Sequence, residues 1–181
     1  MREKITVEEV NRLDEGEFVT RFGSLYEHSP WVAERAWRER PFGHLSELHG
    51  AFLRTVRNAS PERQLALIRA HPDLAGKAAI QGALTPESTQ EQASADLNRL
   101  SPEEYEAFTR MNREYRERFG FPLVVAAREH TKETILADAA ARLKRPRSEE
   151  IETALSEIAK IAYLRLQNLV EQSSNEAKTT P

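Results

Sequence analysis

His71 stands before a proline, in the run His71-Pro72-Asp73-Leu74-Ala75-Gly76-Lys77, where a helical pattern ends. An imidazole of ordinary pKa, near ~6.5, gives or takes a proton close to neutral pH. The same ring at a helix end can instead cap the last carbonyls of its own helix. A second set of chemically capable residues follows between Thr85 and Leu97. Ser88, Glu91, Gln92 and Ala95 recur at three- and four-residue spacing and share one helical face, with Ala93 and Leu97 roughly opposite. A hydroxyl, a carboxylate and an amide on one face suit contacts to a small molecule, and they equally describe a solvated surface. The third candidate is Arg165. At ~100° per residue, Ile151, Leu155, Ile158, Ala162 and Leu169 form a narrow apolar stripe, and Arg165 falls inside it. A guanidinium facing a core needs an anionic or planar partner. Arg165 is therefore either half of an internal ion pair, a side chain snorkelling out at an edge, or a pocket residue that binds a carboxylate or urea-like group.

Other chemistries find little support. The chain has no cysteine, which excludes thiolate zinc sites, iron–sulfur clusters and cysteine nucleophiles. His28, His44, His49 and His130 stand alone, without the paired spacing to carboxylates that metal sites use. The seven glycines are scattered and form no phosphate-cradling loop. In 181 residues, 26 basic and 29 acidic side chains leave a net charge of −3, a poor match to a nucleic-acid partner. The early charges Arg2, Glu3, Lys4, Glu8 and Glu9 argue against a signal peptide. The uncharged run between Arg118 and Arg128 is far shorter than the ~20 residues of a membrane span. Lys178-Thr179-Thr180-Pro181 is no peroxisomal address. The expectation is a cytoplasmic protein of one domain, spanning 1–172, with a frayed polar tail over 173–181.

The elements that must position these residues read as helices throughout. Thr6 with Glu9 and Ser101 with Glu104 have capping-box spacing. Ser60-Pro61, Thr85-Pro86 and Ser101-Pro102 each place an N-cap before a proline. Gly120 and Pro72 mark stops. These signals predict helices near 6–12, 14–23, 30–38, 44–58, 61–70, 86–98, 102–118, 131–144 and 149–172. The segment Lys144–Arg147 reads as a basic turn. Leu123-Val124-Val125 is the one strand-like piece, and short enough to be buried helix as well. The fold class is all-α, a bundle of about nine helices.

Several of these segments, taken in order, resemble one family, the decarboxylases of 2-oxo-4-hydroxy-4-carboxy-5-ureidoimidazoline (OHCU). They are His71–Lys77, then Leu84-Thr85-Pro86-Glu87-Ser88-Thr89-Gln90-Glu91-Gln92, then Arg118-Phe119-Gly120-Phe121-Pro122. Glu27-His28-Ser29-Pro30-Trp31, Arg40-Pro41-Phe42 and the helix from Glu157 to Leu166 extend the likeness from about Phe18 to about Val170. The resemblance implies an all-helical homodimer that needs no cofactor and releases (S)-allantoin late in urate breakdown. It makes His71 the catalytic proton donor and lets Pro72, the segment Ser88, Thr89, Gln90, Glu91 and Gln92, and the backbone of Leu123, Val124, Val125, Ala126 and Ala127 line the substrate. Glu91 and Arg165 complete the polar contacts. Glu91 either positions His71 or accepts from the ureido group. Asp96 stands where the family often has glycine, and Leu123 where it often has phenylalanine. Two rival readings remain: a non-catalytic helical docking module, and a decarboxylase of another ureido or imidazoline acid.

Overall fold

A computed structural model describes residues 3–171, so the expected tail at 173–181 lies outside the described residues. The all-α expectation holds. Ten α-helices are present among these residues, and β-structure is confined to one isolated parallel bridge between Ile5 and Val170. The chain divides into two compact units, Met1–Leu67 with Ile161–Pro181, and Ile68–Lys160.

The first unit contains α1 (Val7–Arg12), α2 (Glu15–Phe22), α3 (Trp31–Ala36), α4 (Leu45–Arg57) and most of α5 (Pro61–Arg69). The capping box of Thr6 and Glu9 forms as expected, and Asp14 with Glu17 builds another at the start of α2. Four-residue spacing puts Phe18 and Phe22 on one face of α2, with ring centroids 4.7 Å apart. Phe18 stacks on Phe52 of α4, itself in a buried row with Leu45, Leu48 and Val56. Two of the isolated histidines have structural places here: His44 caps α4, and His49 lies against Tyr163 with centroids 4.9 Å apart.

The second unit contains α6 (Lys77–Ile80), α7 (Pro86–Ser94), α8 (Pro102–Phe119), α9 (Lys132–Arg142) and the greater part of α10 (Arg147–Leu166). α8 packs on α9, and α7 packs on a 3-10 turn at Ala127–Glu129. Ser101 and Glu104 close the expected box on α8. Gly120 ends that helix with φ of 78°, a left-handed conformation in which a Cβ is strained.

Predicted helix ends hold mostly to within a residue or two, with two informative exceptions. α7 stops at Ser94 instead of 98, because Asp96 turns left-handed at φ 56° and the Leu97 N–H folds back to the Gln92 carbonyl. α10 ends at Leu166 instead of 172, because the chain leaves it to pair with Ile5: the Ile5 N–H meets the Leu169 carbonyl at 3.1 Å. Leu123–Val125 is neither strand nor helix, but a buried irregular segment. The single turn of α6 was not expected from sequence. The basic turn Lys144–Arg147 is tied down, with Arg147 Nε donating to the Phe119 carbonyl at 3.0 Å.

Candidate functional site

α5 ends two residues before His71, whose backbone N–H bonds to the Ile68 carbonyl at 3.2 Å. The histidine is buried, and Pro72 beside it is half-buried. The loop that follows is held residue by residue. Gln92 Oε1 accepts the Ala75 N–H at 2.9 Å, and Gln92 Nε2 donates to the Asp73 carbonyl at 3.2 Å. Asn112 Nδ2 donates to the Leu74 carbonyl at 2.8 Å, and Arg116 Nε bonds the Asp73 carboxylate at 2.8 Å. The loop closes tightly at Gly76, where a Cβ would sit 2.7 Å from that of Asp73. The Gln92 and Asn112 bonds satisfy loop backbone groups that burial would otherwise strand.

The polar face of α7 resolves one ambiguity left by the sequence. Thr85 caps the helix, with its hydroxyl accepting the Ser88 N–H, and Ser88, Glu91 and Gln92 are its buried residues. The face is thus an inward one, not a solvated surface. Thr89 and Gln90 are exposed. Thr89 and Gln92 also border a cavity of about 540 Å³ whose wall includes Ala93, Leu97 and Tyr105.

Leu123 to Ala127 are all buried, and this strap leads directly into the 3-10 turn against α7. Two side chains grip its backbone. Arg142 Nη1 donates to the Val124 carbonyl at 3.0 Å, and Glu157 Oε2 accepts the Ala126 N–H at 2.9 Å. Lys160 Nζ holds the other oxygen of Glu157 at 2.7 Å, and that bond raises the lysine's pKa. Arg142 is itself fully buried, with its Nε 3.0 Å from Glu150, while the Tyr115 hydroxyl donates to the same carboxylate. Burial pushes the Tyr115 phenol up, with the Arg142 charge opposing it.

Sequence reasoning missed Arg142, Glu150, Glu157, Tyr115 and Asn112. The signal was available for Arg142: it lies seven residues after Ile135 and three after Ala139, the buried positions of α9. This is the stripe test that singled out Arg165. Glu150 and Glu157 likewise fall on the buried side of α10 with Ala154 and Ile158.

The structure brings together, within the second unit, the His71 loop, the buried face of α7 and the strap. Arg165 belongs to the first unit. There its Nη1 lies 3.2 Å from Glu27 Oε2 and donates to the carbonyls of Ser24, at 3.1 Å, and Leu25, at 3.4 Å. Both ionic partners are buried, at 4% and 3% exposure, so Arg165 forms an internal ion pair with Glu27. Among the described residues no cluster of histidines and carboxylates could hold a metal ion, and no helix is long and apolar enough to cross a membrane.

Known proteins resemble the chain over nearly all its length. Residues 11–167 match the model of the OHCU decarboxylase family. A 2-oxo-4-hydroxy-4-carboxy-5-ureidoimidazoline decarboxylase of Haloferax volcanii is 49% identical over 163 residues, covering 90% of this chain and 95% of the relative. One from Halalkalicoccus jeotgali is 45% identical over 166 residues, 92% of each. A crystal structure of (S)-allantoin synthase superposes with a TM-score of 0.75 at 29% identity, covering 92% of this chain and 54% of that one. The chain thus spans about half the length of that protein.

Proposed function

This chain belongs to the OHCU decarboxylase family, and on that footing we propose that it is a carboxy-lyase converting 2-oxo-4-hydroxy-4-carboxy-5-ureidoimidazoline to (S)-allantoin in urate degradation. One observation carries the reading: the family match over residues 11–167 contains every residue assigned to the site.

The proposed chemistry can run on side chains and backbone alone. The bond from the ring carbon to its carboxylate breaks, and its electron pair forms a double bond to the neighbouring ring carbon. The charge passes to the nitrogen of the ring C=N, which takes up a proton. The substrate is thus its own electron sink, in place of the cofactor many decarboxylases employ. The resulting enol gives up its hydroxyl proton and gains one at the ureido-bearing carbon, which becomes the stereocentre.

The protein must hold the carboxylate out of the ring plane and deliver that proton to one face. His71 exchanges the proton, a role worth about 10²–10⁴ in rate. Its support is burial at the mouth of a loop fixed by four side-chain bonds. Glu91 and Ser88, on the buried face of α7, orient the ureido group, and the strap lines the ring. Since Glu157 already occupies the Ala126 N–H, the strap's donors to substrate come from its other peptide groups. Arg165 binds the anionic substrate in addition to its tie to Glu27.

The same reading makes the enzyme a cytoplasmic homodimer, supported by its likeness to the family. Light scattering during gel filtration tests the dimer.

The decisive assay generates substrate from urate in the cuvette and follows allantoin by circular dichroism. Rapid appearance of the S enantiomer, lost in His71→Asn, is expected. A trace no faster than spontaneous decay would refute the reading.

A further inference from the structure

A buried, irregular stretch of backbone keeps its shape only if its amide and carbonyl groups find partners. In the strap Leu123–Ala127, two of those groups are taken by ionised side chains from two different helices. The Arg142 guanidinium of α9 takes the Val124 carbonyl at 3.0 Å, and the Glu157 carboxylate of α10 takes the Ala126 N–H at 2.9 Å. Bonds to charged groups are the shorter and stronger kind. Each charge is in turn steadied from behind. Glu150 lies 3.0 Å from Arg142, and Lys160 Nζ lies 2.7 Å from the free oxygen of Glu157.

From this geometry we infer that Glu157 and Arg142 are positioning residues of the decarboxylase, which set the strap against substrate by gripping the Ala126 N–H and the Val124 carbonyl. The inference rests on the strap belonging to the substrate site, as proposed above. Neither residue touches the reacting atoms. Glu157 fixes the point where the strap enters the 3-10 turn, the turn that packs on α7. A misplaced strap shifts the substrate by a fraction of an ångström against His71, and orientation errors of that size lower turnover steeply.

The test uses the full-length protein and three variants. Glu157→Ala removes the acceptor, Glu157→Asp withdraws it by one methylene with little threat to folding, and Glu157→Gln keeps an acceptor of the same reach. Two quantities are read: amide hydrogen exchange at Ala126 by NMR, and kcat and KM on freshly generated substrate. Glu157→Ala and Glu157→Asp should exchange Ala126 at least ~10-fold faster and lose about 10–100-fold in kcat/KM. Glu157→Gln should restore most of both. Unchanged Ala126 exchange in the Ala and Asp variants overturns the grip. Faster exchange with wild-type kcat and KM overturns its catalytic consequence. An inactive wild-type protein overturns the functional reading instead, and the two failures cannot be confused.

Discussion

Gln92 Oε1 lies 2.9 Å from the Ala75 N–H, and so ties α7 to the loop that follows His71. Its Nε2 reaches the Asp73 carbonyl from the same side chain. A residue expected from family likeness to contact substrate therefore builds the loop that follows His71, the proposed proton donor. Gln92→Ala removes both bonds and leaves two loop groups unsatisfied. A loss of about 1–3 kcal/mol in stability is expected, together with at least ~10-fold in kcat/KM. Denaturant unfolding and steady-state kinetics check the two halves. Wild-type stability with lost activity would confine Gln92 to substrate contact.

Asp96 adopts φ 56°, the left-handed region, just past the end of α7. This is the position where the resemblance expects glycine, so the departure is one of side chain and not of backbone shape. Asp tolerates the conformation better than most residues, and a β-branched one does not. Asp96→Val should lose roughly 1–2 kcal/mol, while Asp96→Gly should match the wild type to within about 1 kcal/mol. Thermal unfolding of the pair decides. Equal destabilisation by both would mean that the aspartate side chain, and not the backbone angle, matters there.

These cases show what could be read before the fold was known. Starts such as Thr6, Thr85 and Ser101 act over three or four residues, so they were legible, and so was the stop at Gly120. The strap was not, because nothing local dictates its course. Two of its peptide groups are satisfied by Arg142 and Glu157, 18 and 31 residues further along the chain. The early end of α10 has the same origin, a pairing with Ile5 at the other end of the chain. Of the site, the inward face of α7 was legible as a face but not as inward, since spacing alone carries no sign of burial.

Two buried tyrosines give the protein an alkaline limit. Burial raises the pKa of Tyr26 above its ordinary 10.0, and Tyr115 is raised as well, by burial first and with Arg142 opposing. A phenol with a raised pKa keeps its proton in the native state after the unfolded chain has lost its own. Its contribution to stability is whole below pH ~10 and declines as pH climbs beyond that value. Phenolate absorbance from these two residues should therefore appear only together with unfolding. Tyr115→Phe and Tyr26→Phe should each shrink that late component. Ionisation of Tyr115 while the helical dichroism stays native would contradict its burial.

The pairing of Arg165 with Glu27 permits a test that separates two roles of one side chain. Arg165→Met alone removes one partner of a buried ion pair, which costs about 3–5 kcal/mol. Low activity in that variant would therefore prove nothing about substrate. Adding Glu27→Leu replaces the pair with apolar groups, which commonly restores most of the lost stability. The carbonyls of Ser24 and Leu25 still lose their donor, so recovery should fall short by about 1 kcal/mol for each. If Arg165 binds the anionic substrate as proposed, the stable double variant stays at least ~100-fold down in kcat/KM, with the loss weighted towards KM. If activity returns along with stability, the guanidinium serves the fold of its own unit, and the substrate carboxylate must find its partner elsewhere.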